Sequence, residues 1–431
     1  MTVLAHGVGS RTDLPIPLGL ALYGGGFAIM ISFAVLLLFW RRPKLGDATS
    51  GRPVPPVLQR AADSPRVRIA LQALALLAAL FVLAVALSGP AETPRNLAPW
   101  ALYVTFWVGL VPASLLLGPV WRVLNPLRLL ARALPGRGRA AGRLPALGLW
   151  PAAGSLLVFV WLELVPSGRA DPAVVAGFLI GYAVVHLAAA WVFGDGWFAR
   201  GDGFEVYSTL LGRLSVWGRR DDGRVVLRSP LANAMAIPPE RGLAAVVVVL
   251  LGSTAFDGLT RTAWWQTGPG SGNDVLSGTL GLLAMTALVA GLYTAGTRLS
   301  ARMGRLPGRE FPRLFAATVV PIALGYTIAH YFSLFVLDGQ TFWILLNNPF
   351  GAAGVDLFGA YGNVVDLTAV SPDAIALVQV GAVVTGHVVG VTLAHERALR
   401  LAPRAPASDQ LPLVLVMIVF TIGGLGLLFG F

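Results

Sequence analysis

The chain contains no cysteine. That excludes disulfides, thiolate metal sites and iron–sulfur clusters. Charge is scarce too. Only 12% of the 431 residues are charged, where a soluble domain carries about a quarter. No long polar linker interrupts the sequence, so residues 1–431 read as one integral membrane domain. Signatures of nucleotide use are missing as well. GDGWFARGDG (194–203) is glycine-rich, but it is neither a Walker loop nor a dinucleotide fingerprint. HERAL (395–399) has leucine where a zinc-protease helix needs its second histidine, and no Gly-x-Ser-x-Gly elbow occurs.

What is plentiful is apolar surface: 56% of residues are hydrophobic and the mean hydropathy is +0.72. Several runs approach twenty residues, the length that crosses a hydrocarbon core of about 30 Å as a helix. Ten spans are predicted, at 17–40, 67–87, 98–118, 146–165, 173–193, 242–259, 275–296, 315–337, 373–396 and 411–431. The fold class is therefore an all-α polytopic bundle. With the N-terminus outside, 28 of the 32 basic residues fall in inner loops, and only Arg11, Arg95, Arg169 and Arg261 fall outside. The expected location is the plasma membrane, with both termini outside. The net charge of +11 is then an orientation signal and an attraction to anionic inner-leaflet lipids. No nucleic-acid motif accompanies it. Residues 1–16 are too short and polar for a cleavable signal peptide, so the first span is expected to persist as a helix.

Three segments break the alternation of span and short loop. Residues 118–145 form a basic inner loop whose apolar spacing predicts an interfacial helix. Residues 194–241 form a second, with 204–218 as another amphipathic candidate and 219–230 as a turn or hairpin. Residues 338–372 form an acidic outer loop holding Asp338, Asp356 and Asp366 and no basic residue. Its apolar run at 341–346 is too short to span alone, which predicts a re-entrant or surface-lying lid. Gly386 and Gly390, and Gly426 and Gly430, have the spacing that lets helix backbones approach closely.

Ionisable groups within spans are the candidates for chemistry. His330, Asp257, Glu163 and Asp338 cluster toward the outer face, with His6, Asp356 and Asp366 available from loops. Histidine with carboxylates suits a divalent ion such as zinc or manganese, which would activate water. Here His330, Asp257 and Glu163 are the candidate ligands, while Asp257 and Asp338 are the candidate base and orienting group. The alternative is an interhelical hydrogen bond from His330, with the aspartates solvated. His186 and His387 fall near mid-membrane, where a pair of histidines suits a proton relay. His395 and Glu396 lie at the inner boundary, and His387 is about 12 Å along the helix from His395, too far to share an ion.

The stretches AHGVGSRTDLPIPLGLALYGGGFAIMISFAVL (5–36), WRVLNPLRLL (121–130), GDGFEVYSTLLGRLSVW (201–217), AHYFSLFVLDGQ (329–340) and GHVVGVTLAHERAL (386–399) resemble an actinobacterial membrane family usually labelled fenitrothion hydrolase. The resemblance implies hydrolysis of an organophosphate triester; His6, His330 and His387 lie within the matching stretches. Two functions are open at this point. One is a hydrolase of lipophilic esters that enter from the bilayer. The other is a proton-coupled permease for a small solute or ion, working through His186 and His387. A membrane subunit that depends on a partner chain is a third.

Overall fold

The computed structural model describes residues 18–46, 49–272, 274–304, 308, 310–403 and 407–429. Among them, nine helices are long and apolar enough to cross a membrane. A bent pair, Ala141–Leu147 and Trp150–Leu164, kinked by 70°, makes a tenth when its two helices are counted as one span. The elements used below are α1 (Leu18–Phe39), α2 (Pro65–Ser88), α3 (Leu97–Leu117), α4 (Trp150–Leu164), α5 (Pro172–Phe193), α6 (Gly203–Gly212), α7 (Leu243–Thr260), α8 (Val275–Met303), α9 (Phe311–Leu346), α10 (Pro372–Leu401) and α11 (Leu411–Phe429). His6 and Gly430 lie outside the described residues.

Local chemistry sets many of the helix starts. Ser64, Asn96, Asp202, Asp274 and Ser371 each cap a helix by accepting a bond from a backbone N–H that has no partner within the first turn. Pro65 and Pro372 follow two of these caps, at the position where a missing N–H costs nothing. Central and peripheral helices are told apart by burial. Two thirds (67%) of the apolar window is buried in α7 and in α9, against 17% in α2 and 11% in α8, so the latter two face lipid.

α9 and α10 make the most extensive helix–helix contact among the described residues. A Cβ on Gly325 would stand 2.5 Å from the Ala382 carbonyl oxygen, and one on Gly386 would stand 2.6 Å from that of Pro321. Gly386 and Gly390 are thus packing glycines, as their spacing suggests.

Three loop expectations change. First, α9 does not end near residue 337. It continues through a π-helical turn at Leu334–Asp338 and stays helical to Leu346. The run at 341–346 is therefore the outer end of one helix of 36 residues, about 54 Å long, and the outer loop proper is 347–371. Asp338 looked like a boundary because it is charged, but the helix passes through it with the residue partly buried.

Second, 204–218 is not an interfacial helix. Every residue of α6 except the partly buried Thr209 is buried, in contact with α3, α4 and α9. It is a half-span entering the bundle from the inner side. Third, 118–145 is broken into short helices by Pro119 and Asn125-Pro126, and Leu127 and Ala131 are buried against Ala190, Trp197 and Phe198. The expected hairpin is present: β2 (Trp217–Arg219) pairs with β3 (Val225–Leu227), and β1 (Arg52–Pro53) adds to its other edge.

Candidate functional site

At the outer end of α7, Asp257 lies near the last turn, and Arg261 follows four residues later on the same helix face. His330 of α9 meets Asp257 through its Nε2, and the side chains of both are almost wholly buried. The Arg261 guanidinium is 3.1 Å from His330 Nε2 and 3.5 Å from Asp257 Oδ2. Nε2 cannot both give a hydrogen to the carboxylate and accept one from arginine. The carboxylate contact takes the hydrogen, and Arg261 is held by the carboxylate charge. That tautomer leaves the lone pair on Nδ1, which makes no hydrogen bond among the described residues.

His330 also lines a partly open cavity of about 170 Å³ between α7, α8, α9 and α11. Its walls are Leu251, Met285, Val289, Leu292 and other apolar side chains, and Tyr326 and His330 bring the main polar groups. Leu288 and Val419 in the wall are exposed on the outside of the bundle, so the cavity borders the lipid. A cavity of this order, about 150 Å³, accommodates a benzene-sized group.

Glu163 lies one residue before the end of α4 and is 1% exposed. Its Oε1 accepts the Tyr331 hydroxyl at 2.9 Å. The expected ligand trio of His330, Asp257 and Glu163 is thus split between two arrangements. Arg261 stands where an ion bridging His330 and Asp257 would sit. Among the described residues, no three His, Asp or Glu groups are close enough to hold a metal. Asp338 lies about 12 Å farther along α9 than His330 and does not join them. Asp356 and Asp366 are turned onto their own loop: Asp356 accepts from the Ala360 and Tyr361 amides, and Asp366 from Thr368. The Thr368 hydroxyl, followed by backbone N–H groups, holds the Asp366 carboxyl below its usual range.

The mid-membrane histidines have separate surroundings. His186 Nδ1 accepts the Trp197 indole N–H at 3.0 Å, and its Nε2 faces Ser155 Oγ at 3.4 Å. His387 bonds through Nδ1 to the Val383 carbonyl at 2.9 Å, while Nε2 is buried without a partner among the described residues. No contact joins the two rings among these bonds. His395 bridges the Trp40 carbonyl and Gln410. Glu396 accepts from Trp40, Lys44, Leu45 and Arg400, clamping the end of α1 to α10.

Sequence reasoning missed a second buried cluster. Asp202 and Glu205, at the start of α6, are fully buried. Asn125 Nδ2 reaches both, at 2.8 and 3.2 Å, Tyr182 donates to Asp202, and Arg128 grips both Glu205 oxygens. This network anchors the half-span. Arg261 was missed too, because its charge was counted only toward orientation; its four-residue spacing from Asp257 was the available signal.

No protein-family model matches the chain, and neither a curated protein nor a solved structure is similar to it.

Proposed function

We propose that the protein is a membrane-embedded hydrolase of lipophilic esters, in which His330 is the general base. The observation that carries this reading is a carboxylate-held histidine lining an apolar cavity that borders the lipid. Asp257 fixes the tautomer with hydrogen on Nε2 and stabilises the imidazolium, as the carboxylate does in a catalytic triad. His330 Nδ1 takes a proton from water as the water oxygen bonds to the carbonyl or phosphoryl centre. The bond to the leaving alkoxide or aryloxide then breaks, and the imidazolium returns that proton to it. The apolar cavity takes an aryl or short alkyl group by burial. An organophosphate triester, which the resemblance to the fenitrothion hydrolase-labelled family implies, has such groups around a phosphoryl centre.

The test is hydrolysis of an aryl carboxylate ester and an aryl phosphotriester by protein in nanodiscs. His330→Gln and Asp257→Asn are expected to lower kcat roughly 10²- to 10⁴-fold with KM little changed. Val419→Trp, at the lipid border of the cavity, is expected to raise KM instead. Full activity in both His330→Gln and Asp257→Asn overturns the assignment.

A further inference from the structure

Glu163 has a second oxygen, Oε2, that is buried and has no hydrogen-bond partner among the described residues. Two more buried polar atoms in the same core also lack one: Trp107 Nε1 and the Tyr207 hydroxyl. Trp107 stands beside Glu163 and Tyr331 without closing a hydrogen bond of normal geometry to either. Tyr207, from the half-span α6, stacks on Trp107 with ring centroids 4.7 Å apart. Buried polar atoms without partners are uncommon, and a carboxyl oxygen with two more such atoms nearby calls for a specific cause.

The backbone is unusual at the same place. Trp107 lies in a π-helical stretch of α3, Trp100–Val108, and Tyr331 lies just before the π-helical turn of α9. The two π segments touch each other. Such turns are rare and concentrate at functional sites.

The charged and titratable neighbours of Glu163 come from every side. Asp257 approaches from α7, Tyr331 from α9, Tyr103 from α3, Tyr207 from α6 and Arg169 from the loop after α4. Arg169 bonds to the Pro166 carbonyl and makes no ion pair with Glu163. The cation nearest Asp257, Arg261, is already held there. A bare carboxylate at Glu163 would be a buried charge with one hydrogen bond and another carboxylate beside it, which is the costly arrangement.

From this geometry we infer that Glu163 is a proton-binding site. The proton sits on Oε2, the oxygen without a partner, while Oε1 remains the acceptor of the Tyr331 hydroxyl. The proposal does not depend on ester hydrolysis, and its test reads no turnover.

The experiment is infrared spectroscopy of the protein in nanodiscs at neutral pH. A carboxylic-acid C=O stretch is expected that shifts on transfer to deuterated water and disappears in Glu163→Gln. Tyr331→Phe should move the same band to higher frequency, because the hydrogen bond to Oε1 is lost. The absence of the band from wild type, or its persistence in Glu163→Gln, overturns the proposal. Where Glu163→Gln does not fold, the Tyr331→Phe spectrum decides, and an unmoved band is the overturning result.

Discussion

Glu205 has no exposed surface, and burying its carboxyl in an apolar bundle is tolerable because Arg128 and Asn125 meet it. Arg128→Met is expected to cost about 3–5 kcal/mol by leaving that carboxylate uncompensated. The double variant Arg128→Met with Glu205→Leu should recover most of the loss, and denaturant midpoints in detergent check both. At this scale the sequence was legible for residues that stand alone. His330, Asp257 and Glu163 were visible because each interrupts an apolar run. Asp202 and Glu205 were not, because in a basic loop of mixed composition they look solvated. Only the three-residue step from Asp202 to Glu205 to Ser208 hinted at one helix face turned inward. Which of the visible groups meet was not legible either. Glu163 joins Tyr331, which no span boundary or spacing could single out.

Elements were read best where lipid alone sets their length. The ten apolar runs became nine helices and one bent pair, because a backbone in hydrocarbon has to close its own hydrogen bonds. They were read worst where protein replaces lipid as the surroundings. There α6 is short and α9 is long, so the usual length rule fails. The α9–α10 contact gives a clean test. Gly386→Val forces a side chain onto the Pro321 backbone and should cost about 1–3 kcal/mol. Gly381→Ala lies in the same helix with open space around it, and should be neutral or slightly stabilising. Thermal unfolding in detergent separates the two.

For the whole molecule, the absence of cysteine makes topology directly measurable. A single cysteine at Val364, which is 87% exposed in the outer loop, should react with a membrane-impermeant maleimide on intact cells. One at Arg224, in the hairpin turn, should react only after permeabilisation. The opposite pattern would invert the bundle.

The unequal lengths of two linked helices carry one more consequence. α4 has 15 residues, about 22 Å, and α9 has 36, about 54 Å, while a hydrocarbon core is about 30 Å thick. Tyr331 and Glu163 tie them together, and Val158 of α4 is exposed on the outside of the bundle. A bilayer that meets α4 without leaving apolar side chains in water has to thin there. The mismatch is expected to thin the bilayer beside α4, and thinning on the outer side would shorten the path from water to Glu163, Asp257 and His330. Acyl-chain length is then expected to change the solvent access of these three groups through the depth of a dimple in the lipid and through no contact with them.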